Sequence, residues 1–189
     1  SMGSWLVYGL GTENQNLPGF IAMSPRAQPR NKLANWGNAF LPGAYTGSYV
    51  NIHSMKPDRI LADLKNEWLP KTSQRAQADL LTQLNQFDLA RQQHDGKLEA
   101  SIQAMEMAFR MQFAVPDAFD TTQESKSTLN LYGDSEYAKG CLLARRLVER
   151  GVRMVQISHS IDGYDIAWDT GHGNIVDGHR RLAVACDQG

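Results

Sequence analysis

The sequence predicts an α/β fold, and three stretches carry that prediction. A helical pattern over Ser135 to Arg150 stops at Gly151, and the apolar run Val152 to Ile157 begins at once. Phe20 to Met23 is another short apolar run, bounded by Pro18-Gly19 and Ser24-Pro25, and reads as a buried strand. The third stretch is the polar loop after Ile157, which holds His159, Asp162, Asp165, Asp169 and His172 and leads to His179. Helix, glycine, buried strand and polar loop in succession is the rhythm of a sheet covered by helices. A loop at the carboxyl end of such a strand is where an open α/β sheet places its ligands.

From the amino end, Trp5 to Leu10 is largely apolar and runs into the turn-forming GTENQNLPG, after which comes the first strand. Pro25 to Pro57 reads as a long loop, because Pro, Gly and Asn recur, yet Trp36, Phe40, Tyr45 and Tyr49 would pin it down. A short helix is expected over Arg59 to Leu69, ended by Pro70. From Thr72 a longer helix presents Leu80, Leu81, Leu84 and Phe87, and after Asp95-Gly96 a second one presents Leu98, Ile102, Met105, Phe109 and Phe113. These two helices are expected to form a hairpin over 72–115, with both stripes as core packing and Met107 to one side. Pro116 is expected to stop the second helix, with Asp117 to Phe119 as a turn. The helix from Ser135 buries Tyr137, Cys141, Leu142, Leu143, Leu147 and Val148, and Gly151 is its C-terminal stop. A last helical pattern begins at Asp177. The whole chain, 1–189, is read as one domain.

Composition limits the possibilities. The 189 residues suffice for one domain with a sizeable core. A net charge of −1 gives no electrostatic case for nucleic acid or an anionic membrane. No apolar run approaches the roughly 20 residues of a membrane span. Cys141 and Cys186 lie in apolar helical surroundings and read as buried thiols, with a disulfide also open.

The chemistry-bearing residues concentrate in the last third. Asp169 and His172 stand three residues apart on a glycine-loosened loop, where a carboxylate oxygen and a neutral imidazole can converge on one divalent ion such as zinc, manganese or iron. Two ligands do not complete a site. His159, Asp162, Asp165 and His179 are the available additions, and a solvated, hydrogen-bonded loop is the competing reading. His179 reads as surface or outer support, and His53 and His94 carry no functional expectation. The Gly9-Leu10-Gly11 stretch lacks the third glycine and the βαβ setting of a dinucleotide site. Cys141 is followed two residues later by Leu143, not the proline or alanine of the sulfatase maturation signature. Arg145, Arg146 and Arg150 read as a solvated helix face.

Five segments together carry a resemblance: GSWLVYGLGTENQNLPGFIAM, NWGNAFLPGAYTGSYVN, LEASIQAMEMAFRMQ, CLLARRLVERGVRMVQISH and WDTGHGNIVDGHRRLA. They resemble the sulfatase-like family called domain of unknown function 1501, in order and over essentially the whole chain. The resemblance implies a partial alkaline-phosphatase/sulfatase-like α/β fold, with the helical hairpin as an insertion. It implies a metal-dependent hydrolase of sulfate or phosphate esters, small-molecule or glycan, using a divalent metal ion. It also implies export to the periplasm or outside the cell, behind a leader upstream of Ser1. The family's Trp-Asp-x-His pattern falls on Trp168, Asp169 and His172, with Gly171 lengthening the spacing by one, so Asp169 and His172 are the implied metal ligands and His159 a neighbour. The superfamily's amino-terminal metal-and-nucleophile segment and its later Gly-Gly-Glu-Phe-Gly-Arg segment have no counterpart in this sequence. An internal fragment, inactive alone and without an assignable nucleophile, is therefore expected; the alternative is a non-catalytic structural or partner-binding module.

Overall fold

The structure is a computed structural model that describes residues 1–25, 28–29, 31–53, 70, 72–73, 75–76, 79–80, 83, 96–159, 168 and 175–187. Its centre is a three-stranded parallel sheet in the order β2-β1-β3, made of β1 (Phe20–Ser24), β2 (Ser48–Asn51) and β3 (Met154–Ile157). β1 is buried at every position because it has a neighbour on each side and a layer on each face. That continuous burial explains its unbroken apolar run, as expected of a central parallel strand.

The alternation of β1 sorts the core into two clusters. Ile21 and Met23 point to one face, where they meet Val50 and Ile52, with Met111, Val115, Ala118 and Phe119 of α2 (Gly96–Phe119) and Leu143 and Leu147 of α4 (Glu136–Glu149). Phe20 and Ala22 point to the other face and pack with Val7 of α1 (Met2–Leu10) and with Trp36, Tyr45 and Tyr49. Helices thus cover both faces, which is the predicted α/β class. Between α2 and α4 runs the short α3 (Lys126–Tyr132), and α5 (Ile175–Cys186) follows β3.

The α4–β3 unit forms where its sequence predicts, except that β3, at the sheet's edge, is half-buried and not buried, and Val148 is exposed. Ser135 caps α4, its hydroxyl accepting from the Ala138 N–H, and the helix stops where Gly151 takes a φ of 86°, a left-handed conformation that favours glycine. The strand then pairs with β1 in register Phe20↔Met154 through Met23↔Ile157.

Four expectations need correction. Pro25 to Pro57 is not all loop: Ser48–Asn51 forms β2, paired with β1 over Ile21↔Ser48 to Ser24↔Asn51. Of its four residues only Val50 is buried, too little apolar signal to stand out among Pro, Gly and Asn. Second, α2 continues through Pro116 to Phe119. Proline has no N–H to give to the helix ladder, but Ala118 and Phe119 beyond it are buried. The Arg146 guanidinium donates to the carbonyls of Asp117 at 2.9 Å and Ala118 at 3.1 Å, satisfying the helix end. Third, the core face of α2 is Met107, Met111, Val115 and Ala118, not the Phe109–Phe113 stripe. Those two phenylalanines lie about half a turn away, edge to face at 5.5 Å, with the Arg75 guanidinium 5.7 Å from the Phe109 ring. Fourth, Arg145, Arg146 and Arg150 are no solvated face. Arg146 is only 5% exposed, and with Arg145 it grips Glu124, at 2.5 and 2.6 Å respectively.

The described residues among 72–83 are helical. The expected helix at Arg59–Leu69, and Leu81, Leu84 and Phe87, lie outside the described residues. Among the described residues no helix is long and apolar enough to cross a membrane.

Candidate functional site

The strand order places the chain's reversal beside β1. From β1 the chain runs to β2 on one side, and later enters β3 on the other. Ligands of such sheets bind outside the carboxyl ends of the strands at this point. His159 stands there, two residues after β3, and the Ser158 N–H bonds the Met23 carbonyl at 2.8 Å, so the start of the loop is still tied to the sheet.

The alternation of β3 turns His159 to the α4 side, where three elements meet it. From α4, the Tyr137 ring packs edge-on against the imidazole, with centroids 4.9 Å apart. From α5, the Cys186 Sγ lies 3.4 Å from His159 Nδ1 and 3.8 Å from Nε2. From the loop, the Trp168 ring lies 6.0 Å from His159 and 5.8 Å from His179. Gly140 lets α4 come this close: a β-carbon there would stand 3.1 Å from Ile52 and 3.4 Å from Ile157. At the far end, the Ser135 hydroxyl donates to the Ala185 carbonyl at 2.7 Å and fixes α5 against α4.

Burial sets the charge state of this cluster. It pushes the His159 imidazole below its ordinary value of 6.5, so near pH 7 the ring is neutral and offers a lone pair. It pushes the thiols of Cys186 and Cys141 up, and the Tyr137 hydroxyl, which is bonded to the Cys141 thiol, up as well. The site is therefore uncharged and half-buried. His179 has its Nδ1 2.8 Å from the Ile175 carbonyl, which can only accept, so Nδ1 donates there.

Of the residues expected to bind metal, His159 is placed at the switch point, whereas Asp169 and His172 lie outside the described residues, as do Asp162 and Asp165. Among the described residues, no three His, Cys, Asp or Glu side chains converge on one metal position. Sequence reading missed Cys186 and Tyr137 as neighbours of His159, and both thiols are half-buried and free, not fully buried. A usable signal existed: His179, Leu182 and Cys186 share one face of α5 at spacings of three and four, and Leu182 is buried.

A separate groove of 1310 Å³ runs along the β2 edge, between α1 and α2, and is lined by Tyr8, Tyr45, Asn51, Gln103 and Arg110 among others. His159 does not line it. Tyr8 joins it to a row of edge-to-face rings, Phe40–Trp5–Tyr8–Tyr45, spaced 5.3 to 5.8 Å.

Fold and site together define a three-layer α/β protein with a parallel sheet and an imidazole-bearing loop at its switch point. The chain matches, over residues 1–189, the model of the family described as Protein of unknown function (DUF1501), and it belongs to that family. No curated protein and no solved structure matches it.

Proposed function

We propose that the chain belongs to a lineage of exported, sulfatase-like metal-dependent hydrolases acting on sulfate or phosphate esters, and that His159, Asp169 and His172 hold a divalent ion. The observation that carries this reading is His159: neutral, half-buried, beyond the carboxyl end of β3, with Trp168, the residue before Asp169, packed against it. The donor chemistry fits, since a neutral imidazole beside carboxylates suits zinc-class ions. When bound, such an ion polarises an ester oxygen and offsets the charge that develops on it. The residues of this chain supply orientation and exclusion of water: Tyr137 and Trp168 wall the imidazole, and Ser158 ties its backbone to β1.

Metal analysis of the purified chain tests the reading. Stoichiometric metal in the wild type, lost in Asp169→Ala and in His159→Ala, is expected. A chain without metal after dialysis against zinc, manganese and iron in turn would sink it. A second reading, a binding module without catalysis, is favoured by the β2 groove and its aromatic row. It predicts ligand binding that Tyr8→Ala abolishes and Asp169→Ala leaves unchanged.

A further inference from the structure

We propose that the groove along β2 receives a further strand: an extended, apolar peptide segment of another protein that pairs with the outer edge of β2. This rests on the second reading above, for which it names the ligand, and does not depend on an ion at His159. The groove lies beyond the sheet's edge, between its two layers. Tyr8 of α1, from one face, and Met107 of α2, from the other, line it together with all four residues of β2. The helical layers therefore reach past β2 and leave a slot in the plane of the sheet, where an added strand would sit about 4.8 Å away.

The main chain faces that slot. The Ile52 N–H bonds the Ser24 carbonyl, so by strand alternation Val50 and Ser48 also face β1, and Tyr49 turns its N–H and C=O outward. Among the described residues no strand pairs with that side of β2. Just before the strand, the Gly47 N–H bonds the Trp36 carbonyl at 2.9 Å and not β1. Edge strands protected from pairing carry lysine, proline or a bulge. Ser48–Asn51 has neither residue, and its register with β1 is unbroken. A peptide backbone answers this edge with its own donors and acceptors, whereas a saccharide or an acyl chain has none at the strand repeat. A second copy would bring its own α1 and α2 layers against these, which holds the two β2 strands apart. Side chains of the added strand alternate between Tyr8 and Tyr45 on one face and Met107 on the other, so apolar residues are needed at successive positions.

Amide exchange of the full chain, read by NMR, tests this before any ligand is added. Tyr49 should exchange fast, while Val50, facing β1, is protected. Panning a random decapeptide library on the full chain should enrich runs of β-branched and aromatic residues. An enriched peptide at about ten times its Kd should slow Tyr49 exchange about tenfold. Ala104→Trp, which fills the groove from an exposed position on α2, should abolish that slowing, and Val184→Ala, exposed on α5, should not. A Tyr49 amide as slow as Val50 in the free chain would mean that the edge is already paired, and would overturn the proposal. A concentration-dependent dimer that slows Tyr49 would overturn it in favour of a second copy. Proline-rich peptides that bind, need Tyr8 and leave Tyr49 fast would overturn the strand and keep the groove as a ligand site. A library that enriches nothing would overturn both.

Discussion

Arg146 ties α4 both to the end of α2 and to the turn that follows it. Its guanidinium meets Glu124, and the carbonyls of Asp117 and Ala118, inside a nearly closed environment. Removing it leaves Glu124 paired with Arg145 alone and takes a buried donor from the Asp117 and Ala118 carbonyls, so Arg146→Ala should lower stability by about 2–3 kcal/mol in urea unfolding. Arg150 makes an equally short bond to Asp117, at 2.8 Å, but that carboxylate is 75% exposed, and Arg150→Ala should cost about 0–1 kcal/mol. Equal losses in the two variants would contradict the argument from burial. The same cluster sets an acid limit. Hydrogen bonds from Arg145, then Arg146, hold the Glu124 carboxyl below its ordinary value of 4.5. In the interval between the depressed and ordinary values the unfolded chain binds more protons. The contribution is therefore complete above about pH 4.5 and fades as the pH falls through the depressed value. Unfolding curves collected down this range should steepen in their pH dependence, and Glu124→Gln should flatten that portion. Neither role was legible in the sequence, where three arginines on an amphipathic helix look like any solvated face. What makes Arg146 different is tertiary: the end of α2, 28 residues earlier, lands on it.

At the scale of elements, legibility followed the length and completeness of the local signal. α4 and β3 carry a serine cap, an apolar stripe, a glycine stop and an apolar run, and these agree with the fold in place, although Val148 of the stripe is exposed and β3 is only half-buried. β2 carries one buried valine in four residues and α3 no buried residue at all, so neither could be read without its neighbours. α2 gave a misleading signal, because both of its faces are apolar and only contact with the sheet decides which one is core. The proline inside it allows a direct test. Pro116 is exposed, and Pro116→Ala restores a backbone N–H and removes the ring from the helix while leaving Val115, Ala118 and Phe119 in place. Stability should rise by about 1–3 kcal/mol, the gain being limited by position near the helix end and by greater freedom of the unfolded chain. A loss of stability on thermal unfolding would mean that the ring itself is a needed contact. Of the candidate site, the place of His159 was legible and its neighbours were not. His159 stands out by residue type and by following a strand, but Cys186 joins it only because α5 folds back over α4, 27 residues further on.

For the molecule as a whole, the strand order makes β1 the last part to open. Its backbone bonds to β2 on one side and to β3 on the other, and both core clusters rest on its side chains. Beyond its ends the same bonding continues, with the Ile52 N–H on the Ser24 carbonyl and the Ser158 N–H on the Met23 carbonyl. Opening β1 therefore breaks both ladders and exposes both clusters together, which amounts to global unfolding. Amide exchange should be slowest at Ile21, Ala22 and Met23, at a free energy equal to that from denaturant unfolding. The α1 layer closes the smaller cluster and leaves Trp5 and Tyr8 about half exposed, so its amides should exchange through smaller local openings. Faster exchange in β1 than in α1 would show that the two layers are not built on one strand. The same order fixes where chemistry can occur. Ser158 and Ile52 start their loops from the most protected strand, and His159, one residue further on, packs against Tyr137 of α4 and Cys186 of α5. If His159 holds an ion as proposed, binding should slow exchange in the last turn of α5, which packs on it through Cys186, while leaving β1, already limited by global unfolding, at a rate set only by the added stability. Slowing confined to α1 and the β2 groove would place the ligand there instead.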